Sequence, residues 1–288
     1  MPDQRTARVT VVTGGASGIG RATVLRFLAE GDQVVFGDLN EANAQALLDE
    51  VADPARLRFV PTDVTDEADV AALVGDAVDG FGRIDVMFNN AGIGGAFGPL
   101  VETEAADWDR TFAVIGRGVF LGTKHAARAM IAHGGGGVIV NNASVAGVGG
   151  GGGLTAYSAA KAAVINFTAN AAVELAAHRI RINAVCPGLV NTPLVMGRDA
   201  AAIEAQLATF QPWPDLGRPE DIAGVVAFLA GPDSVFLTGT HVLADGGMVA
   251  WGPRMTGTSD PRGRTRQYVG FTEGTTGRRP TRRPVHDI

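Results

Sequence analysis

Short, continuous runs of apolar and β-branched residues alternate with longer amphipathic segments over the first 250 residues of the chain. The runs are too short for helices and lack strict alternation, which predicts strands buried on both faces of a sheet. The predicted strands are 8–13, 33–37, 57–61, 84–89, 137–141, 180–185 and 240–243. The segments between them predict helices at 19–30, 41–51, 67–79, 104–132, 156–177 and 220–229.

Strands that alternate with helices pair in parallel, because each helix crosses a face of the sheet before the chain returns. The pattern therefore predicts a single α/β domain over residues 1–251. We expect a doubly wound, Rossmann-type parallel sheet of about seven strands, with helices on both faces. The helical stretch 192–216 interrupts the alternation late and is long enough to cover a site.

Residues 252–288 differ in character, with six glycines, four prolines and no apolar periodicity. They predict a C-terminal tail, which is either flexible or an arm that reaches a neighbouring subunit. Eight arginines and three acids give this tail a formal charge of +5, whereas residues 1–251 carry −11. Because the predicted domain is acidic, the sequence argues against a nucleic-acid-binding protein.

The composition, 46% hydrophobic and 19% charged, is typical of a globular chain and excludes a disordered one. One cysteine cannot form an internal disulfide. No apolar stretch approaches the roughly 18 residues of a membrane span, and no signal-peptide core precedes the first strand. We therefore expect a cytoplasmic protein with no membrane partner. The five histidines lack the spacing of metal ligands, so no metal site is predicted.

A glycine-rich turn, TGGASGIG at 13–20, connects the first strand to the first helix. Its glycines permit a tight turn and leave the N–H groups of the helix N-terminus facing an anion. A bare strand-to-helix turn is the alternative, but this position favours dinucleotide binding. The expected cofactor contacts in this turn are Gly14, Ser17, Gly18, Ile19 and Gly20.

Asp38 ends the second predicted strand, and Leu39 follows it. A carboxylate here can accept hydrogen bonds from both hydroxyls of the adenosine ribose and repels a 2′-phosphate. Positions 15–17 and 39–40 hold no arginine or lysine that would bind such a phosphate. The sequence therefore predicts NAD rather than NADP as the cofactor.

A phenol and an ammonium group, Tyr157 and Lys161, lie four residues apart on one face of the predicted helix 156–177. A nearby cation favours the phenolate of a tyrosine, whose pKa is otherwise about 10. Ser144 follows the fifth strand, where its hydroxyl can orient a substrate alcohol or carbonyl. The set predicts proton transfer by Tyr157 while a nicotinamide takes the hydride. The chain has only two lysines and two tyrosines, which favours a functional reason for this pairing.

With these residues in view, the sequence resembles the short-chain dehydrogenase/reductase family over residues 8–250. The motifs that carry the resemblance are TGGASGIG at 13–20, Asp38, Asp63-Val64, Asn89-Asn90-Ala91-Gly92, Ser144, Tyr157-Ser158-Ala159-Ala160-Lys161, Pro187-Gly188, Asn191-Thr192-Pro193 and Asp245-Gly246-Gly247.

The resemblance implies that Ser144, Tyr157 and Lys161 are catalytic and that Asp63 and Val64 flank the adenine. The residues that it places along the cofactor ribose and the nicotinamide carboxamide are Asn90, Ala91, Gly92, Pro187, Gly188, Val190 and Thr192. It also implies a mobile substrate lid at 192–216. A homotetramer built through paired helices, including the one that carries Tyr157, is a further implication.

The chain departs from the family pattern at Ile115, where the string VIGRGVF replaces one that usually carries a catalytic asparagine. In the family, that asparagine helps to hold a water beside the lysine as part of a proton path. Isoleucine can offer this water only its backbone carbonyl. We therefore expect a slower enzyme or a rerouted proton path rather than an inactive protein.

The sequence thus predicts an NAD-dependent dehydrogenase that acts on a neutral, hydrophobic secondary alcohol or its ketone, such as an alicyclic, terpenoid or steroid-like compound. The apolar side chains of the presumed lid, Phe210, Trp213 and Leu216, are candidates for the substrate wall. One alternative is a 3-ketoacyl-thioester reductase. The other is a catalytically impaired NAD-binding scaffold or sensor, with Ile115 as its first lesion.

Overall fold

A seven-stranded parallel sheet forms the centre of the molecule. The computed structural model describes residues 7–150, 154–196, 210–251, 268–271 and 281–284. The sheet order is β3-β2-β1-β4-β5-β6-β7, and every neighbouring pair is parallel. Its strands are β1 (Val9–Thr13), β2 (Gln33–Asp38), β3 (Leu57–Pro61), β4 (Val86–Asn89), β5 (Gly137–Asn142), β6 (Ile180–Pro187) and β7 (His241–Ala244). The doubly wound fold predicted from the sequence is confirmed.

Helices cover both faces of the sheet, and a separate apolar core lies on each face. The helices are α1 (Gly18–Ala29), α2 (Glu41–Val51), α3 (Glu67–Phe81), α4 (Ala105–Phe112), α5 (Gly118–His133), α6 (Thr155–Leu175), α7 (Pro193–Met196) and α8 (Pro219–Ala230). Side chains of α1, α2 and α8 form one core with the sheet, and those of α3, α5 and α6 form the other. Strand order reverses between β1 and β4, which opens a crevice at the carboxyl ends of the strands.

The helix predicted at 104–132 is interrupted. A π-helical turn at Ala113–Arg117 separates α4 from α5, and the N–H of Gly118 donates to the carbonyl of Ala113. Apolar periodicity continues through the turn, so it could not reveal the extra residue. Close packing against Val64 accounts for the glycine at position 118, since a Cβ there would lie 2.9 Å from Cγ2 of Val64. Ile115 lies within this turn and is fully buried.

The two late segments of the chain are described only in part. Of the predicted lid at 192–216, the structure describes α7 and residues 210–216, while residues 197–209 lie outside the described ranges. In the predicted tail at 252–288, β8 (Tyr268–Phe271) and β9 (Thr281–Pro284) pair in an antiparallel manner. The absence of apolar periodicity did not predict this pair, and the other tail residues lie outside the described ranges.

Candidate active site

A cavity of about 520 Å³ opens in the crevice at the carboxyl ends of the strands, a volume typical of small-molecule and cofactor sites. It brings together all of the predicted site residues except Gly20. Those lining it are Gly14, Ser17, Gly18, Ile19, Asp38, Leu39, Asp63, Val64, Asn90, Ala91, Gly92, Ser144, Tyr157, Lys161, Pro187, Gly188, Val190 and Thr192.

The glycine-rich turn forms one wall of the cavity, between β1 and α1. Gly18 has a φ of +50°, in the left-handed region that glycine adopts most readily. Gly20, predicted as a cofactor contact, does not line the cavity. A Cβ on Gly20 would lie 1.9 Å from the carbonyl oxygen of Gly14, so its glycine is explained by close packing of helix against turn.

Asp38, at the end of β2, is tied to the glycine-rich turn. One carboxylate oxygen accepts a hydrogen bond of 2.9 Å from the Ala16 amide, and the other accepts one of 2.9 Å from the Asn40 amide. A carboxylate has about four acceptor positions, so both oxygens can still accept hydrogen bonds from a ligand in the cavity. The neighbouring Leu39 side chain is 71% exposed at the cavity rim.

Thr13 holds the end of β4 against the glycine-rich turn, a role that sequence reasoning did not assign. Its buried hydroxyl accepts hydrogen bonds from the amides of Asn90 (2.9 Å) and Ala91 (3.1 Å). The Asn90 side chain donates in turn to the carbonyls of Thr13 and Gly14, both at 3.0 Å. The two loops are therefore fixed to each other before a ligand binds. The threonine that opens the glycine motif was the available signal.

The loop after β6 closes the opposite side of the cavity. The Gly188 amide donates to the Ala244 carbonyl at 3.0 Å, and Val190 forms an isolated parallel bridge with Gly217. Thr192 lies beside the glycine-rich turn. A Cβ placed on Gly18 would be 3.3 Å from Cγ2 of Thr192. This loop thus reaches the residues that begin α1, across the mouth of the crevice.

Asp63 and Val64, which follow β3, form another part of the cavity wall. One carboxylate oxygen of Asp63 accepts hydrogen bonds from the amide (2.9 Å) and the hydroxyl (2.8 Å) of Thr65. Val64 is buried and packs with Val70 and Leu121. Its position at the cavity wall is therefore set by the core.

Ser144, Tyr157 and Lys161 come together in the wall of the cavity. Ser144 follows β5 and its hydroxyl accepts a hydrogen bond of 3.1 Å from the Ala146 amide. Tyr157 and Lys161 lie one turn apart on α6, and Nζ of Lys161 is 5.6 Å from the centre of the Tyr157 ring. Lys161 is only 4% exposed, and its ammonium donates a hydrogen bond of 2.6 Å to the Asn142 carbonyl.

Burial dominates the acid–base properties of this group. It raises the pKa of the Tyr157 phenol above its ordinary value, and interaction with the Ser144 hydroxyl lowers it in partial compensation. Burial also lowers the pKa of Lys161 to about 8. The lysine therefore still carries its charge at neutral pH. An additional positive charge beside the phenol would favour the phenolate.

The cavity also contains residues to which the sequence analysis assigned no role in the site: Thr62, Thr65, Ile93, Arg110, Ala113, Val114, Asn142, Ala143, Pro193 and Leu194. Ile93, Val114 and Leu194 provide apolar surface. By contrast, the predicted wall residues Phe210, Trp213 and Leu216 are not among the described residues that line the cavity. Phe210 and Trp213 are instead 49% and 63% exposed.

The described ranges contain no cluster of three or more histidine, cysteine or acidic side chains with the geometry of a metal site. Within the same ranges, no helix combines the length and apolar character needed to cross a bilayer. Cys186, the one cysteine, is buried at the end of β6, and burial raises its pKa to about 11. It is therefore a protonated core residue at neutral pH.

Comparison with known proteins identifies relatives along nearly the whole domain. A family model described as enoyl-(acyl carrier protein) reductase matches residues 14–249. Cis-4-hydroxycyclohexanecarboxylate dehydrogenase of Sinomonas cyclohexanicum is 47% identical over 247 residues, which cover 84% of this chain and 97% of that protein. The 3-oxoacyl-[acyl-carrier-protein] reductase of Thermotoga maritima is 40% identical over 243 residues, which cover 84% and 98%.

A solved structure agrees with these sequence matches. The crystal structure of levodione reductase superimposes with a TM-score of 0.78 and 40% sequence identity, covering 85% of this chain and 99% of that one. The matched family model ends at residue 249, so the C-terminal tail lies outside it. The chain therefore belongs to the short-chain dehydrogenase/reductase family of oxidoreductases, as the motifs of its sequence predict.

Proposed function

We propose that this protein is an NAD-dependent dehydrogenase that interconverts an alicyclic secondary alcohol and its ketone. The observation that carries the proposal is the position of Tyr157, with Lys161 and Ser144, in the same cavity as the glycine-rich turn. The same cavity is thus lined by a group that can transfer a proton and by a turn suited to binding a dinucleotide. Reaction of an alcohol with a nicotinamide requires both.

The residues of the cavity fit a dinucleotide. The glycine-rich turn leaves backbone amides at the start of α1 free to bind a pyrophosphate, and no side chain at Gly14 or Gly18 blocks its approach. Asp38 retains acceptor positions for the ribose hydroxyls and would repel a 2′-phosphate, which supports NAD over NADP. When bound, the nicotinamide supplies hydride chemistry.

The roles of the polar residues follow from their charges and positions. The Ser144 hydroxyl can donate a hydrogen bond to the oxygen of the alcohol or ketone, which orients it toward Tyr157. Tyr157 then takes the hydroxyl proton during oxidation and returns it during reduction. The Lys161 ammonium, held by the Asn142 carbonyl, stabilises the phenolate electrostatically.

The substrate class is supported by the cavity wall and by the relatives. Ile93, Val114 and Leu194 give the cavity an apolar surface suited to a saturated ring. The names of cis-4-hydroxycyclohexanecarboxylate dehydrogenase and levodione reductase both describe redox chemistry on small molecules. We therefore propose that the substrate of this protein has its hydroxyl or carbonyl carbon within a six-membered ring.

The second candidate is reduction of a 3-ketoacyl thioester. The matched family model and the Thermotoga maritima relative, both named as reductases of carrier-protein substrates, favour it. The cavity itself does not discriminate, since a short acyl chain would contact the same apolar residues. The acidic charge of residues 1–251 argues against it, because an acidic carrier protein needs a basic docking surface.

The test is a substrate panel with both cofactors. Purified protein is incubated with NAD or NADP and a series of cyclohexanols, terpenoid alcohols and linear secondary alcohols, and with reduced cofactor and a 3-ketoacyl thioester. The absorbance of the reduced nicotinamide is followed. We expect the highest kcat/KM with NAD and a cyclic alcohol. Preference for the thioester would assign the protein to the second candidate, and binding of NAD without any turnover would support a scaffold.

For the oligomeric state we propose a homotetramer that uses α5 and α6. Val173 on α6 is 82% exposed and Phe120 on α5 is 46% exposed, so these helices present apolar side chains outside the core. Burying such surface against another copy is favourable. Light scattering of the full-length protein and of a chain ending at Trp251 measures the mass. If both chains form assemblies with the same number of subunits, the tail has no role in assembly.

A further inference from the structure

Two side-chain amides, those of Asn90 and Asn142, connect the glycine-rich turn to the residue that holds the catalytic lysine. Both donor contacts of Asn90 Nδ2 go to backbone carbonyls, of Thr13 and Gly14, and these can only accept. The Asn90 Oδ1 must therefore face the other way. There it accepts a hydrogen bond of 3.0 Å from Nδ2 of Asn142. The orientation of the Asn142 amide is thus fixed by its neighbours.

As a consequence, Oδ1 of Asn142 is left without a partner. The atom is buried, and no donor from the described part of the chain reaches it. A buried acceptor without a hydrogen bond is destabilising, by about 1–3 kcal/mol in typical cases, and such groups in native proteins are usually satisfied by water or a ligand. Asn142 also lines the cofactor cavity, so this acceptor belongs to the active site.

The same residue holds the lysine. The backbone carbonyl of Asn142 accepts the hydrogen bond from the Lys161 ammonium at 2.6 Å. An ammonium has three donors, and this bond is its one hydrogen bond to the described residues. A water that accepts from Lys161 and donates to Oδ1 of Asn142 would satisfy a donor and an acceptor of adjacent groups together.

We propose that the Asn142 side chain is a positioning residue that holds a proton-carrying water beside Lys161. The inference rests on the proposed function, because the water would pass on the proton that Tyr157 takes from an alcohol. In oxidation the proton moves from the substrate hydroxyl to the Tyr157 oxygen. It continues through water at Lys161 to solvent, and the hydride would go to the nicotinamide of the NAD in the proposed function.

On the other side of the catalytic residues, the side chain at position 115 supplies no hydrogen bond to a water. Ile115 is fully buried in an apolar cluster with Val119, Ala160 and Cys186, and Tyr157 packs against that cluster. Its side chain has no polar atom, so position 115 can offer a water only its backbone carbonyl. Asn142 lies on β5 rather than on the α4–α5 segment, and its backbone carbonyl contacts Lys161 from the strand side.

The test compares Asn142→Leu, which removes the carboxamide at similar volume, with the wild-type enzyme on its best alcohol. We expect kcat to fall about tenfold, as for loss of part of a proton-transfer path. The solvent deuterium isotope effect on kcat should rise, and the basic limb of the pH profile should move to lower pH. An unchanged isotope effect and pH profile would overturn the proposal.

A matched control separates this role from damage to the glycine-rich turn, since Asn142 also donates to Asn90. Thr13→Val disturbs the same junction without removing a group near Lys161. We expect Thr13→Val to weaken cofactor binding and leave the isotope effect unchanged, whereas Asn142→Leu should show the reverse. If Asn142→Leu only weakens cofactor binding, its role is structural and the proposal fails.

A second readout needs no substrate. Tyr157 and Tyr268 are the two tyrosines of the chain, so in a Tyr268→Phe background the ultraviolet titration of tyrosinate reports Tyr157 alone. Asn142→Leu should raise the pKa of Tyr157, because a less well solvated ammonium loses its charge at lower pH. The titratable group that acts on the Lys161 charge is Cys186 on β6, and Asp245 acts in turn on Cys186; both variants retain these two residues.

These outcomes distinguish the two claims. Absence of turnover by the wild-type protein on every substrate would defeat the proposed function, while the tyrosinate titration would still report whether Asn142 acts on the Lys161–Tyr157 pair. An Ile115→Asn variant that increases kcat in a protein where Asn142→Leu is silent would assign the water to position 115. That result would contradict our proposal.

Discussion

The ammonium of Lys161 donates a hydrogen bond of 2.6 Å to the backbone carbonyl of Asn142, which joins the middle of the site to the end of β5. The chain contains only two lysines among 24 basic residues, and one of them occupies this buried position. Arginine is a larger, planar cation and could not replace a compact ammonium here. A lysine at this position of a chain with so few lysines indicates that the site requires an ammonium group.

Burying this ammonium lowers stability, and we expect Lys161→Met to be more stable than the wild type at pH 7. The pKa of Lys161 is about 8 in the folded protein, compared with its ordinary value of 10.5. Below pH 8 both the folded and unfolded states carry the proton, so the penalty is complete. It disappears as pH rises from about 8 to 10.5, where the folded lysine is neutral.

The expected gain at pH 7 is about 1–3 kcal/mol in the free energy of unfolding, with no remaining catalysis. Urea denaturation at pH 7 and pH 10 measures the difference. The variant should lose most of its advantage at the higher pH. A variant that is less stable than the wild type at both values would show that the Asn142 hydrogen bond outweighs the burial of the charge.

Cofactor choice should depend on Asp38 and Leu39. Replacing them together, by Asp38→Ser and Leu39→Arg, removes the carboxylate and adds a cation at the cavity rim, where Leu39 is exposed. We expect NAD to bind roughly ten- to a hundredfold more weakly, as for loss of hydrogen bonds to a charged group, and NADP to bind more tightly. Fluorescence titration with each reduced cofactor measures both constants.

Leu39→Met is the control for this pair, because it preserves the carboxylate and adds no charge. It should bind both cofactors as the wild type does. Wild-type protein that binds NADP more tightly than NAD would contradict the assignment of Asp38. The double variant should also be slightly less stable, since the Ala16 amide loses the acceptor at 2.9 Å.

Thr13→Val should lower stability and weaken cofactor binding together. The substitution preserves shape but removes the buried acceptor of the Asn90 and Ala91 amides. Leaving two buried donors unsatisfied should destabilise the fold by about 1–3 kcal/mol. Thermal unfolding with and without cofactor tests this. Thr10→Val on the same strand is a comparison, since its hydroxyl bonds Asp32 outside the cavity.

The strands and helices of the domain were predictable from burial. Strands buried on both faces of the sheet appear as short apolar runs, and helices that bury one face appear as longer amphipathic segments. Helix α2 and strand β3 have the bounds expected from the sequence. The turn at Ala113–Arg117 was not predictable, since an inserted π turn shifts apolar positions by less than the breadth of a buried stripe. The glycines at positions 116 and 118 were the sequence feature that could have indicated an irregular turn there.

In the site, the residues that belong to local sequence motifs could be proposed from the sequence. The residues whose role depends on hydrogen bonds to distant parts of the chain could not. Glycines and the Tyr157–Lys161 spacing reflect local backbone geometry. Thr13 and Asn142 act through contacts with residues 77 and 52 positions away in the chain. Such contacts depend on strand order, with β4 between β1 and β5, which the pattern along the chain does not specify.

The most direct test of the central claim is single-turnover oxidation of a cyclic alcohol by the wild type and by Tyr157→Phe. Removing the phenolic oxygen leaves the ring, the cavity and Lys161 in place, so the variant should still bind the cofactor. We expect the hydride-transfer rate to fall by at least about a hundredfold, with the cofactor dissociation constant unchanged. A Tyr157→Phe enzyme that transfers hydride at the wild-type rate would contradict the account.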